Sequence, residues 1–100
     1  MEVKVASTKD IPAGKMIGAE NSGQKVVVAN VNGSYYAIGN ICTHRGCKLS
    51  EGTLNGQQIQ CPCHGSIFDA KTGAVVRGPA QSPEKSFQVK VDGDAVLVSF

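Results

Sequence analysis

Pairs of Asx and Gly recur along the chain between short runs of β-branched and aromatic residues, and this punctuation limits the fold more than any other feature. Asn32-Gly33 separates VVVANV from SYYAI, and Asp92-Gly93 separates QVKV from AVLVS. Asn55-Gly56 precedes QQIQC, and Lys71-Thr72-Gly73 lies between SIFDA and AVVRG. Asx-Gly supplies the positive φ angles that two-residue hairpin loops require. The runs themselves read as strands. Glu2 to Ala6, Gln88 to Val91 and Ala95 to Ser99 alternate polar and apolar residues, the period of a half-buried strand, while Lys25 to Val31 (KVVVANV) suits a more buried one. Long helical periodicities are absent, so the expected fold is all-β. Asn32-Gly33-Ser34 also matches a glycosylation sequon, but without a secretion signal it reads as a turn.

The 100 residues suffice for one compact domain and leave no room for a separate catalytic domain. Neither an internal repeat nor a linker divides the chain. The framework is expected over 1–39 and 80–100, and a Gly-rich middle over 40–79 holds all four cysteines and both histidines. Loops held on a rigid framework are where binding chemistry is commonly placed. The ten Lys and Arg are scattered and only five residues are aromatic, so nucleic acid is not an expected partner. Charges at Glu2, Lys4, Lys9 and Asp10 leave no apolar core for a signal peptide, and no apolar run approaches the ~20 residues that span a bilayer. The expectation is a soluble, cytoplasmic monomer without a membrane anchor. Cysteines in such a compartment read first as metal ligands.

Those ligands fall in two short pieces, CTHRGC (Cys42 to Cys47) and CPCHGS (Cys61 to Ser66). Cys42-x-His44 and Cys61-x-x-His64 each offer one thiolate and one imidazole. Sixteen residues separate His44 from Cys61, enough for a strand and a hairpin to bring the second piece beside the first. Two thiolates and two imidazoles can hold tetrahedral zinc, or a two-iron cluster in which one iron takes the sulfurs and the other the nitrogens. The one-residue spacing of Cys42 and His44 is tighter than a zinc knuckle uses and suits the bridged two-iron unit better.

CTHRGCKL and CPCHGSIFD closely resemble the two cluster-binding boxes of Rieske 2Fe-2S proteins, C-T-H-x-G-C and C-P-C-H-G-S. The likeness includes the glycine after each ligand pair, and Gly78-Pro79-Ala80 looks like the family's proline loop over the cluster. Pro79 as a simple turn residue is the competing reading. The resemblance covers nearly the whole chain and implies a Rieske-like antiparallel β-sandwich or barrel whose small cluster-binding subdomain, 40–79, presents two loops. It implies one 2Fe-2S cluster, with Cys42 and Cys61 on the inner iron and His44 and His64 on the outer. Two thiolates cancel the charge of two ferric ions and two sulfides, so the oxidised site is neutral and takes an electron more readily than a four-cysteine site. Its potential belongs in the range of about −150 to +300 mV rather than near −400 mV. Reduction raises the pKa of the ligand imidazoles, so the potential falls as pH rises through their oxidised-state range.

In Rieske proteins with boxes of this form, the two remaining cysteines are joined, which implies a Cys47–Cys63 disulfide tying the loops together. Closing a loop of this size is worth roughly 3 kcal/mol. Two reduced thiols are the alternative in a reducing compartment. Ser66 matches a family position whose hydroxyl bonds a cluster sulfide, with turn capping as the plainer role. Phe68 lies where high-potential members carry a tyrosine, which implies an intermediate potential. Arg45 reads as solvated, with docking of an acidic partner as the alternative.

The reading that follows is a soluble one-electron carrier between a reductase and an acceptor oxidoreductase, not itself an enzyme. A small Rieske subunit of a multicomponent oxygenase or respiratory complex is the alternative, and a zinc-stabilised interaction module a third.

Overall fold

The computed structural model describes residues 2–43, 46–63 and 65–100. The described residues form three antiparallel sheets. The first has the order β1 (Glu2–Ser7), β11 (Ala95–Ser99), β10 (Val89–Asp92). The second runs β2 (Met16–Asn21), β3 (Gln24–Val31), β4 (Ser34–Gly39), β9 (Ser86–Phe87). The third is a meander of three-residue strands, β5 (Thr53–Asn55), β6 (Gln58–Gln60), β7 (Ile67–Asp69) and β8 (Val75–Arg77). The helical content of the described residues is two single 3-10 turns, Thr8–Asp10 and Leu49–Glu51.

The second sheet is covered on both faces, which explains the unbroken apolar run of β3. Strand geometry sends Val26 and Val28 to one side and Val27 and Ala29 to the other. Val26 and Val28 join Ala37, Ala6, Val96 and Val98 in a core shared with the first sheet. Val27 and Ala29 join Ile38, Leu49, Ile59 and Phe68 in a second core, against the third sheet. The register agrees, because Val27 pairs with Ile38 and Val28 with Ala37, and cross-strand partners share a face. All four β3 side chains are fully buried, and burial of each valine stabilises the fold by about 1.5–3 kcal/mol.

The β3–β4 loop is Asn32-Gly33, both at positive φ, as the sequence predicts. Buried Asn30 braces it. Its Oδ1 accepts from the Gly33 N–H (2.7 Å), while its Nδ2 donates to Ile11 O (2.8 Å) and to the Tyr35 hydroxyl (3.2 Å). Two details lie beyond the sequence reading. Ser86–Phe87 and Val89–Asp92 are separate strands in different sheets, because Phe87 pairs with Ala37 whereas Val89 pairs with Val98. An alternating run says which face a residue takes but not which partner strand it finds. Strand β2 (MIGAEN) carries no clean alternation, and pairing with β3 along its whole length places it.

Candidate metal centre

The two cysteine-containing pieces are closed by the same pair of backbone hydrogen bonds. After β4, the Cys42 N–H donates to Cys47 O (2.8 Å) and the Gly46 N–H donates back to Cys42 O (2.9 Å). After β6, the Cys61 N–H donates to Ser66 O (2.7 Å) and the Gly65 N–H returns to Cys61 O (3.3 Å). Each cysteine thus opens a loop closed on its own main chain at the fifth residue, with a glycine at the fourth. Gly46 has φ 77° and Gly65 φ 80°, left-handed conformations that side-chain-bearing residues rarely adopt, and this is the physical need behind the glycine in each box. The bridge between Ile41 and Lys48 closes the base of the first loop.

Buried Asn40 and half-buried Ser50 anchor that base to the framework. Asn40 Oδ1 accepts from the Ser50 N–H (2.7 Å), and its Nδ2 donates to Ser50 Oγ (3.0 Å). Asn40 went unnoticed in the sequence. An Asx residue just before the first ligand box is its only signal there.

The thiols divide into two kinds. Cys47 and Cys63 form a disulfide, with Cα atoms 6.4 Å apart, that joins one loop to the other. Cys42 and Cys61 lie outside it, each 2% exposed, and share one core with Phe68 and Ala80. Among the described residues no three metal-ligating side chains cluster. His44 and His64, like Arg45, lie outside the described residues.

The segment 78–82 is tied to both loops. Fully buried Ser66 accepts a hydrogen bond at Oγ from the Ala80 N–H (3.0 Å), and the Thr43 hydroxyl donates to Ser82 O (2.7 Å). Gly78 and Pro79 are joined by a cis peptide bond within this segment. Because Ser66 Oγ spends a lone pair on Ala80, its proton is left to donate elsewhere. Phe68 is fully buried in β7, opposite Ile59. Thr43 is a further residue that sequence reasoning passed over, although it sits between two candidate ligands.

The arrangement fits a two-iron cluster. Two buried thiols at equivalent loop positions supply soft donors. A buried hydroxyl with its proton unspent suits a sulfide acceptor, and the disulfide is kept separate from the Cys42 and Cys61 thiols.

Comparison with known proteins agrees with this geometry. The family model of the Rieske [2Fe-2S] domain matches residues 1–96. The ferredoxin component of the naphthalene 1,2-dioxygenase/salicylate 5-hydroxylase systems of a Ralstonia species is 33% identical over 96 residues, covering 96% of this chain and 92% of the relative. The ferredoxin of carbazole 1,9a-dioxygenase from Nocardioides aromaticivorans IC177 superposes with a TM-score of 0.94 at 33% identity, covering 99% of this chain and 97% of that one. A complex of reduced oxygenase and oxidised ferredoxin in carbazole 1,9a-dioxygenase contains a chain with a TM-score of 0.93 at 34% identity, covering 98% of this chain and 92% of that one.

Proposed function

The chain belongs to the Rieske [2Fe-2S] family, and from that premise we propose that it is the ferredoxin component of an oxygenase system of the aromatic-ring dioxygenase kind. It carries one 2Fe-2S cluster and moves single electrons between a reductase and a terminal oxygenase; chemistry on the substrate belongs to the oxygenase. When bound, the cluster supplies a site that takes up and releases one electron. Cys42, His44, Cys61 and His64 are the ligands in this reading, and 40–79 is the cluster-binding part of a single domain. The observation that carries it is the pair of buried thiols, Cys42 and Cys61, in loops of identical hydrogen-bond pattern.

The protein's own part is to hold and tune. The matched loops fix both thiols against the core, and the Cys47–Cys63 bridge keeps the loops in register. Ser66, held by Ala80, keeps a hydroxyl proton that would be donated to a bound cluster and would raise its potential, whereas Phe68 has no proton to give. The resulting potential is intermediate, between members with both hydroxyls and members with neither. No helix among the described residues is long and apolar enough to cross a membrane, and a cytoplasmic location is our reading.

Metal content and visible absorption test the assignment. Two irons and two sulfides per chain, lost in Cys42→Ser and in Cys61→Ser but kept in Cys63→Ser, are expected. A colourless protein with one zinc per chain would overturn it. Reduction of the protein by a dioxygenase reductase, followed by reoxidation by the matching oxygenase, tests the carrier role.

A further inference from the structure

Glu84 precedes β9 and is the buried carboxylate of the described residues, 8% exposed. Its main chain is fixed by the N–H bond to Gly73 O (2.8 Å). The side chain turns onto the end of β4, where Oε1 occupies the space a Cβ at Gly39 would need. The carboxyl accepts a hydrogen bond from the backbone N–H of Thr43. Oε2, also buried, has no hydrogen-bond partner among the described residues. Thr43 is therefore held twice by one segment, at its N–H by Glu84 and at its hydroxyl by Ser82 O.

Leaving a buried carboxylate oxygen unpartnered is costly, and a structural role alone would be served as well by glutamine. Burial pushes the Glu84 carboxyl up to about 7, and the Thr43 N–H draws it partway back. Among the described residues few charges surround it. Strand β4 carries none, and the turn after β7 brings Asp69, held by Gln57 and two backbone N–H groups, together with Lys71. On its own segment, Lys85 stands with Nζ 5.1 Å from the centroid of the Phe87 ring. His44 and Arg45 lie outside the described residues. An open depression lined by Thr43, Pro79, Gln81 and Ser82 adjoins this segment and gives solvent an approach.

We infer that Glu84 is a positioning residue for electron transfer, whose carboxyl holds the Thr43 peptide of the first ligand loop and takes a proton from solvent as the electron arrives. The inference rests on the reading of Cys42 and His44 as ligands. In the coupled step the reductase supplies one electron and water one proton. The O–H bond formed on Glu84 replaces one broken in hydronium, and the proton returns to water when the oxygenase takes the electron. A carboxylate in low dielectric opposes added negative charge, so its neutralisation favours reduction.

The test is potentiometry across pH on cluster-loaded wild type and Glu84→Gln, which preserves shape and removes the charge. Well below pH 7 the two potentials should coincide. Above it the variant should lie higher, with a gap that opens through the range around 7. Proton uptake at the histidine ligands is common to both proteins and cancels in the difference. Infrared difference spectra of the wild type, oxidised against reduced at neutral pH, should show a protonated carboxyl appearing on reduction and vanishing in the variant. Equal potentials at every pH would overturn the inference. If the variant takes up no cluster, the wild-type infrared spectrum alone decides, and absence of the carboxyl band overturns the inference. Wild type that binds zinc instead of iron would overturn the ligand reading and this inference together, and metal content shows that before any potential is measured.

Discussion

The Ser66 hydroxyl, fully buried, accepts a hydrogen bond from the backbone N–H of Ala80 at 3.0 Å, and so joins the Cys61–Ser66 loop to the segment that follows the cis Gly78–Pro79 bond. One oxygen thereby holds that segment in place and keeps a proton to offer the cluster. Ser66→Ala should show both losses. Loss of the donor lowers the reduction potential by about 40 mV, if the differential hydrogen bond is worth about 1 kcal/mol in a one-electron couple. Leaving the Ala80 N–H buried and unpaired costs about 1–3 kcal/mol of stability. Protein-film voltammetry and thermal unfolding measure the two separately.

Phe68→Tyr places a new hydroxyl at a fully buried ring in the core that contains Cys42 and Cys61. The expected result is a rise in potential of similar size, ~40 mV. An unchanged potential in a folded, cluster-loaded variant would refute the role given to this position.

The Cys47–Cys63 bond predicts that denatured protein alkylated without reductant gains mass at two cysteines, and at four after reduction. Cys63→Ser should keep the cluster and lose about 3 kcal/mol of stability, with faster release of iron, because the two loops are then joined only through the chain between them.

Glu84 predicts how stability depends on pH. Its carboxyl is raised from 4.5 to about 7 by burial, so the folded state binds a proton that the unfolded state has released. Stability is highest below about pH 4.5, as far as this group is concerned, and falls as pH rises through about 7, by an amount on the order of 3 kcal/mol. The difference in unfolding free energy between wild type and Glu84→Gln, followed across pH, isolates this contribution from those of other groups.

Asp69 titrates in the opposite sense. Burial would raise its carboxyl, but hydrogen bonds from Gln57 and from the Lys71 and Thr72 N–H groups, with the Lys71 charge, together hold it below 3.8. The stability it supplies is complete above its unfolded value and is lost as pH falls through the folded one. Asp69→Ala should cost about 1–2 kcal/mol at neutral pH and less as the pH is lowered into the acid range, by denaturant unfolding, because the Lys71-Thr72-Gly73 turn loses its side-chain acceptor.

The sequence by itself determined the class of fold and the chemistry of the site. Alternation along Glu2–Ser7 and Ala95–Ser99, positive-φ pairs such as Asn32-Gly33, and the two-faced run of β3 all depend on neighbours a few residues away, and that is where a strand writes its pattern. The two cysteine-containing boxes were legible for the same reason, since each loop closes on itself between Cys42 and Cys47 or between Cys61 and Ser66. Contacts between distant segments were decided only in three dimensions. The split of Ser86–Phe87 from Val89–Asp92, the bracing of Asn40 on Ser50, the hold of Ser82 and Glu84 on Thr43, and the room that Gly39 leaves for a carboxyl all join residues with no periodic relation. Burial gives those contacts their force. A glutamate in a linear sequence reads as solvated, and only packing against Gly39 and Thr43 removes its water and makes its proton consequential.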